Sequence, residues 1–255
     1  MPVEPLGGLK THVQTLGHGG PAVVMLHGMF IGSIASWYFS IAPVLASGRR
    51  VVMYDLRGHG LTERTGGGYG LRAMAQHLDA VVDRFGGGGP VHLVGHSYGG
   101  AIALRYAVDR PGKVGRLAVV EAPLPVLTPE HVEAMKSKDG RAAVEMMPPW
   151  QQHAFLTGGR RARRLADRGI ALLSETAMVE ELLADPDIPD EVLAAYPGDV
   201  LLCYASETAA RMTETLHRLA RVMPGARPRV LDASHYLHRD APAALAEVIR
   251  EFLDA

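Results

Sequence analysis

The chain has 255 residues, 47% of them hydrophobic and 21% charged, which excludes a mostly disordered protein and allows one or two domains. Its 26 Lys and Arg against 27 Asp and Glu give a net charge of −1, which argues against a nucleic-acid partner because such proteins carry a basic excess. The one cysteine, Cys203, excludes an internal disulfide framework and a thiolate zinc cluster. We expect a cytoplasmic protein with no membrane partner, because we find no apolar run of spanning length and no signal peptide.

Short apolar segments alternate along the chain with longer amphipathic ones. The predicted strands are Val23–Leu26, Val51–Tyr54, Val91–Val94, Leu117–Val120, Val200–Tyr204 and Arg229–Leu231. The predicted helices are Leu71–Phe85, Ala101–Val108, Thr208–Val222 and Pro242–Leu253. Strands that are apolar on both faces are typical of a parallel sheet covered by helices. The alternation therefore predicts βαβ units and a doubly wound α/β fold.

The alternation stops between Pro123 and Asp199, where the pattern is helical and broken by glycine and proline. This stretch predicts a helical insertion between two strands. In it, Met147, Trp150 and Phe155 are candidates for lining a pocket for an apolar acyl or polycyclic substrate, with packing against the core as the alternative. Five arginines between residues 160 and 168 indicate a solvated helix face or a site for the phosphate of a carrier-bound thioester.

The strongest chemical signal is the sequence GHSYGG at Gly95–Gly100, which follows a predicted strand and precedes a predicted helix. A strand–turn–helix with glycines two residues before and after a serine is the context of a nucleophile elbow. The glycines allow a sharp turn that exposes Ser97 Oγ. The backbone N–H of Tyr98 would then point at the reacting centre from a helix N-terminus.

Two further segments directly follow predicted strands. In His27–Phe30 the backbone N–H of Met29, or alternatively of Phe30, can supply the second half of an oxyanion hole, and His27 is expected to be a buried orienting residue. The loop Asp55–Gly60 is expected to be structural.

The segment Ser234–Pro242 lies between the last predicted strand and the last predicted helix. Its His235 is the candidate general base. The competing His238 is expected to face solvent or the helical insertion. Tyr236, next to the base, is a candidate for substrate contact.

Taken in order, these four motifs resemble the α/β-hydrolase superfamily, over residues 1–122 and 199–255. The resemblance implies an eight-stranded, mostly parallel sheet, with residues 123–198 as a helical lid after strand six. It also implies Ser97 as nucleophile, His235 as base, and the Met29 and Tyr98 amides as oxyanion hole.

The acid of the triad departs from the commonest family pattern. Thr208 stands where the family usually has Asp, and threonine cannot stabilise an imidazolium as a carboxylate does. Glu121, at the end of the sixth strand, occupies a place that some family members use for a triad Glu. Glu207 can substitute with a shift of one residue. We predict Glu121, with Glu207 as the alternative.

We therefore expect a serine hydrolase that cleaves a carboxylic ester, lactone or thioester through an acyl-enzyme on Ser97, with no metal or organic cofactor. One alternative is a cofactor-free cyclase, lyase or haloperoxidase-like enzyme on the same fold. A second is an epoxide-hydrolase-like enzyme, although such enzymes use Asp where this chain has Ser97. A third is a non-enzymatic small-molecule binder that keeps the elbow only as architecture.

Overall fold

The computed structural model describes residues 3–30, 32–135 and 159–255. Its strands are β1 Val3–Leu6, β2 Leu9–Leu16, β3 Val23–Leu26, β4 Val51–Tyr54, β5 Val91–His96, β6 Val114–Val120, β7 Asp199–Glu207 and β8 Ala226–Ser234. The described α-helices are α1 Ala35–Tyr38, α2 Ile41–Leu45, α3 Leu71–Phe85, α4 Tyr98–Asp109, α5 Pro129–Met135, α6 Gly159–Ser174, α7 Met178–Ala184, α8 Asp190–Ala194, α9 Ala210–Val222, α10 Leu237–Asp240 and α11 Pro242–Asp254.

All eight strands form one sheet in the order β1-β2-β4-β3-β5-β6-β7-β8. β1 and β2 pair antiparallel, as do β2 and β4, and every other neighbouring pair is parallel. The predicted fold, an eight-stranded and mostly parallel sheet with helices, is therefore confirmed.

The continuous apolar character of the central strands follows from burial on both faces of the sheet. In β3, Val24 and Leu26 belong to one hydrophobic cluster, with α3 and α4, while Val23 and Met25 belong to the other, with α2 and α11. All four residues of β3 and of β4 are buried. Helices on both faces leave no polar side to these strands, which is why they show no alternation.

The structure also differs from the sequence prediction in its details. The hairpin β1–β2 has no counterpart among the six segments predicted from the apolar pattern, because β2 mixes buried and exposed residues irregularly. Helix α4 begins at Tyr98 instead of Ala101, because the turn at Ser97 leads directly into it. Helix α9 begins at Ala210 instead of Thr208, because β7 extends to Glu207.

The segment between β6 and β7 contains α5, α6, α7 and α8, and its described residues include no strand. That agrees with the helical pattern of the sequence. The division into a core of residues 1–122 and 199–255 and a lid of residues 123–198 stays a prediction. Within the described ranges, the structure has no helix that is long and apolar enough to cross a membrane.

A carboxylate from α7 anchors the insertion to the sheet domain. Oε2 of Glu181 accepts hydrogen bonds from the backbone N–H groups of Gly68, Tyr69 and Gly70, directly before α3. Asp185 accepts the N–H of Leu71, the first residue of that helix. The two carboxylates of the insertion thus satisfy N–H groups before and at the start of α3, where negative charge also favours the helix dipole.

This anchor predicts a loss of stability in Glu181→Gln. Partial burial opposes ionisation, but the three N–H groups and Arg57 outweigh it and lower the pKa of Glu181. We expect the substitution to lower the free energy of unfolding by about 1–2 kcal/mol at pH 7, measured by urea denaturation. A lowered folded-state pKa stabilises the protein above the ordinary carboxyl pKa of about 4.3, and that contribution is lost as the pH falls through the folded-state pKa.

The difference in free energy of unfolding between the wild type and Glu181→Gln should therefore become smaller in acid. Glu180→Gln is the matched control, since Glu180 is exposed on the same helix, and it should change stability by less than about 0.5 kcal/mol. Equal effects of the two substitutions would show that Glu181 is not an anchor.

Candidate active site

The predicted site residues come together at the carboxyl edge of the parallel strands. The loop after β3 carries Met29, β5 leads into Ser97, β6 into Glu121, and β8 into His235. Because these strands are parallel, their carboxyl ends meet at one edge, which is where ligands bind in open α/β sheets.

Ser97 lies at a sharp turn between β5 and α4. Its φ of 53° and ψ of −120° lie outside the regions that non-glycine residues ordinarily adopt. Its backbone N–H donates to the carbonyl of Val120 on β6, and its carbonyl accepts from Gly100 and Ala101 in α4. Ser97 is half-buried while its neighbours in the turn are buried. The turn thus holds a single hydroxyl at the surface of the sheet edge.

The glycines of the elbow are required by close approach. A Cβ at Gly95 would lie 2.3 Å from the carbonyl oxygen of Gly99, and one at Gly99 would lie 2.5 Å from the carbonyl oxygen of His27. One at Gly28 would lie 2.9 Å from Nδ1 of His96. These three positions have no room for a side chain, so the loop after β3 packs directly against the elbow.

The geometry pairs His235 with Glu121. Nδ1 of His235 lies 2.9 Å from Oε2 of Glu121, within hydrogen-bond distance. The Glu121 side chain is fully buried, whereas 26% of the His235 side chain is exposed. A carboxylate can only accept, so the proton of this bond is on Nδ1 and the Nε2 lone pair of a neutral His235 is free to take a proton.

Two other donors hold Glu121 in place. Its Oε1 accepts the backbone N–H of Ala205 at 2.7 Å, and its Oε2 accepts the hydroxyl of Thr208 at 2.6 Å. Thr208, which stands in the usual place of the acid, thus hydrogen-bonds to the carboxylate that pairs with His235. The alternative acid, Glu207, is exposed at the end of β7, and none of its contacts among the described residues involves His235.

Backbone strain is concentrated at the same edge. Among the described residues, the non-glycine positions with positive φ are Phe30 at 67°, Ser97 at 53° and Glu121 at 51°. Each such conformation costs about 1–3 kcal/mol and persists where the surrounding structure enforces it, commonly at functional sites. The three positions are the loop after β3 with the predicted oxyanion donors, called the oxyanion loop below, the candidate nucleophile and the candidate acid.

The loop after β3 contains the predicted oxyanion donor Met29 and its alternative, Phe30. Met29 and Phe30 are half-buried after β3. Tyr98 is the first residue of α4, so its N–H is one of those that have no acceptor inside the helix. A pair of N–H groups from these two turns is the arrangement that stabilises an oxyanion.

Two further histidines, His96 and His238, lie near His235. Burial, and then the neighbouring His238 and His235, hold the pKa of His96 well below its ordinary range. Burial likewise lowers the pKa of His238 to about 4. Both rings are therefore neutral near pH 7.

The expectation that His238 faces solvent or the insertion is wrong. Its ring centroid lies 5.7 Å from that of Trp37 and 4.8 Å from that of His96. The short helix α10 turns this side chain inward, where it packs between the buried Trp37 and the elbow.

His27 and Asp55 organise the loops beneath the site, as predicted. His27 is fully buried, its Nδ1–H donates to the carbonyl of Gly28, and its Nε2 accepts the N–H of Leu56. Asp55 accepts the N–H groups of Ile34 and Leu61. These bonds tie the oxyanion loop to the loop after β4.

A cavity of about 510 Å³ lies beside the oxyanion loop. Phe30, Tyr38, Phe39 and Leu61 are among the residues that line it, and Ser97 is not. In the loop after β3, Gly28 therefore packs against the elbow and Phe30 lines this cavity.

Three of the predicted substrate contacts, Met147, Trp150 and Phe155, lie outside the described residues. The fourth, Tyr236, has its ring 5.2 Å from that of His235 and nearly perpendicular to it. Within residues 3–30, 32–135 and 159–255, no group of three or more His, Cys, Asp or Glu side chains is arranged to hold a metal ion.

Comparison with known proteins adds an independent observation. A family model described as the alpha/beta hydrolase fold matches residues 21–150, just over half of the chain. The chain belongs to the alpha/beta hydrolase fold family. The matched range contains the oxyanion loop, the elbow and Glu121.

Curated relatives in this family include hydrolases. The chain is 36% identical over 119 residues to a 2-hydroxy-6-oxo-2,4-heptadienoate hydrolase of Pseudomonas putida, over 46% of this chain and 42% of the relative. It is 26% identical to an sn-1-specific diacylglycerol lipase of Mus musculus, over 91% of this chain and 81% of the lipase. The match to the bacterial relative thus spans less than half of that protein.

Among solved structures, an enol-lactonase from Burkholderia xenovorans superposes with a TM-score of 0.81 and 19% identity, over 100% of both chains. At that identity the likeness shows the alpha/beta hydrolase fold alone.

Sequence reasoning missed two contacts in the site. The first is the hydroxyl of Thr208 on Glu121, and the second is the bond from Nε2 of His96 to the carbonyl of His235 at 2.8 Å. No local pattern signals either, because each joins residues that are far apart in the chain. The position of Thr208 at the family's acid site was the one available hint.

Proposed function

We propose that this protein is a serine hydrolase that cleaves a carboxylic ester, lactone or thioester through an acyl-enzyme on Ser97. The observation that carries the proposal is the elbow at Ser97, with its φ of 53°, at the same edge of the sheet as a histidine hydrogen-bonded to a fully buried carboxylate. An accessible nucleophile, a base and a group that orients the base are the parts that nucleophilic catalysis requires.

The first half of the reaction forms the acyl-enzyme. Ser97 Oγ attacks the carbonyl carbon while its proton moves to Nε2 of His235. The N–H groups of Met29 and Tyr98 bind the oxyanion of the tetrahedral intermediate, and Glu121 stabilises the imidazolium through Nδ1. The intermediate collapses as His235 gives its proton to the leaving alcohol or thiol.

The second half releases the acid. His235 takes a proton from water as the water attacks the acyl carbon, and a second tetrahedral intermediate forms in the same oxyanion hole. Its collapse breaks the bond to Ser97 Oγ, which regains the proton from His235. No step needs a metal or an organic cofactor.

A fluorophosphonate probe followed by a substrate panel tests the proposal. We expect one probe mass on the intact protein, located on the peptide that contains Ser97. The panel comprises p-nitrophenyl esters of several chain lengths, lactones and acyl thioesters. A protein that takes no probe and turns over no member of the panel would favour the non-enzymatic binder or a cyclase or lyase.

The acyl pocket is proposed to involve the insertion, with Met147, Trp150 and Phe155 among its apolar residues. Trp150→Ala should change the ratio of kcat/KM between short and long acyl esters several-fold, because losing apolar contact discriminates by acyl size. The rate of fluorophosphonate labelling should change less. An equal loss with every ester and with the probe would instead indicate a structural Trp150.

A further inference from the structure

The base and the nucleophile come from strands that are not neighbours. Ser97 follows β5 and His235 follows β8, with β6 and β7 between them in the sheet. The pairing of adjacent strands therefore does not by itself set the distance between the side chains of Ser97 and His235. That distance depends on the loop after β8. Something beyond the sheet must hold that loop against the elbow.

One direct link crosses this gap. His96, the residue before Ser97, places its Nε2 2.8 Å from the backbone carbonyl oxygen of His235. A carbonyl oxygen only accepts, so Nε2 of His96 carries the hydrogen and donates it. The base is thus held at two points: Glu121 binds its ring at Nδ1, and His96 binds its backbone.

The donor ring is itself held rigidly. His96 is 2% exposed. Its ring centroid lies 4.8 Å from that of His238 and 6.4 Å from that of Trp37, in both cases edge-to-face. Gly28 also lies against the ring, since even a Cβ there would come within 2.9 Å of Nδ1. A closely packed donor pre-organises the carbonyl that it binds.

We propose that His96 is a positioning residue of the hydrolase: its Nε2–H fixes the backbone of His235 and thereby the position of the imidazole relative to Ser97 Oγ. This inference rests on the proposed function. It assigns to His96 an effect on the reaction rate beyond its contribution to packing.

Substitution of His96 by glutamine or by asparagine distinguishes its effect on the position of His235 from its contribution to packing. The side-chain nitrogen of Gln occupies nearly the place of His Nε2, whereas that of Asn, one methylene shorter, occupies the place of Nδ1. His96→Gln keeps the donor within reach of the carbonyl, and His96→Asn presents the same amide too far away. His96→Met is a second variant without the donor, and it matches the length of Gln.

The readout is kcat and KM for p-nitrophenyl butyrate. We expect kcat to fall about 10- to 100-fold in His96→Asn and His96→Met with KM within about threefold of wild type, since small misplacements of reacting groups have effects of this size. In His96→Gln, kcat should stay within about threefold. His77→Asn is the control: His77 is a buried histidine bonded to Thr11 on β2, and its loss should reduce thermal stability without lowering kcat.

Two results would overturn the proposal. One is a wild-type kcat in whichever of the Asn and Met variants folds, as judged by near-UV circular dichroism. The other is a folded His96→Gln that loses as much kcat as those variants. Failure of the proposed function is distinguishable, because it appears as a wild-type protein whose Ser97 takes no fluorophosphonate.

Discussion

Replacing Ser97 with alanine is expected to abolish fluorophosphonate labelling and to lower kcat by about five to six orders of magnitude, as loss of the nucleophile does in a serine protease. The loss follows from chemistry, because alanine has no oxygen to form the acyl-enzyme. Alanine retains a Cβ in the same strained turn, so the fold and its thermal stability should survive. Intact-protein and peptide mass spectrometry, with steady-state kinetics on an ester, measure both effects.

Ser206→Ala is the matched control. Ser206 is exposed at the end of β7, where its hydroxyl bonds to Asp232, and its loss should leave labelling and kcat unchanged. Undiminished labelling in Ser97→Ala would show that another residue is the nucleophile.

Glu121→Gln is expected to have the second-largest effect, a loss of about 10⁴-fold in kcat by analogy with the acid of a serine protease triad. Glutamine keeps the shape of the side chain and an oxygen that can accept the N–H of Ala205. It removes the charge that stabilises the imidazolium, and its NH₂ group can donate to Nδ1 and so favour the wrong tautomer of His235. Because Glu121 is fully buried, solvent does not replace the lost charge. KM for an ester should change little.

Two control variants test whether the loss of kcat is specific to Glu121. Glu207→Gln alters an exposed carboxylate at the end of β7 and should leave kcat within about twofold of wild type. Thr208→Val removes one of the donors to Glu121 and should lower kcat by about tenfold or less, because the hydrogen bond is lost but the charge remains. A large loss in Glu207→Gln with a near-normal Glu121→Gln would reverse the assignment of the acid.

The strand pattern and the elbow could be predicted because their signals are local. A strand buried on both faces is apolar along its length, and β3 and β4 needed no partner to be recognised. The GHSYGG segment likewise combines a strand end, two close-approach glycines and a helix start within six adjacent positions. The hairpin β1–β2 has no such signal, since the burial of β2 depends on β4 and on the loops above it.

The identity of the residue paired with the base was not decided by spacing. Glu121 and Glu207 both follow strands that end at the carboxyl edge, and Thr208 stood at the family's usual position. The structure separates them because the turn at Glu121, with its positive φ, buries that carboxylate beneath the loop after β7. β7 ends by exposing Glu207 instead.

The sequence by itself determined the fold class, the strand–turn–helix at Ser97, and the small set of residues from which a site can be drawn. These properties depend on neighbours in the chain. Only the tertiary structure decided that Glu121 bonds to His235, that Thr208 bonds to Glu121, that His238 turns inward and that His96 reaches the backbone of His235. Each of these contacts joins residues that are far apart in the chain, and such a contact exists only after the strand order and the loop closures bring its atoms within a few ångströms of each other.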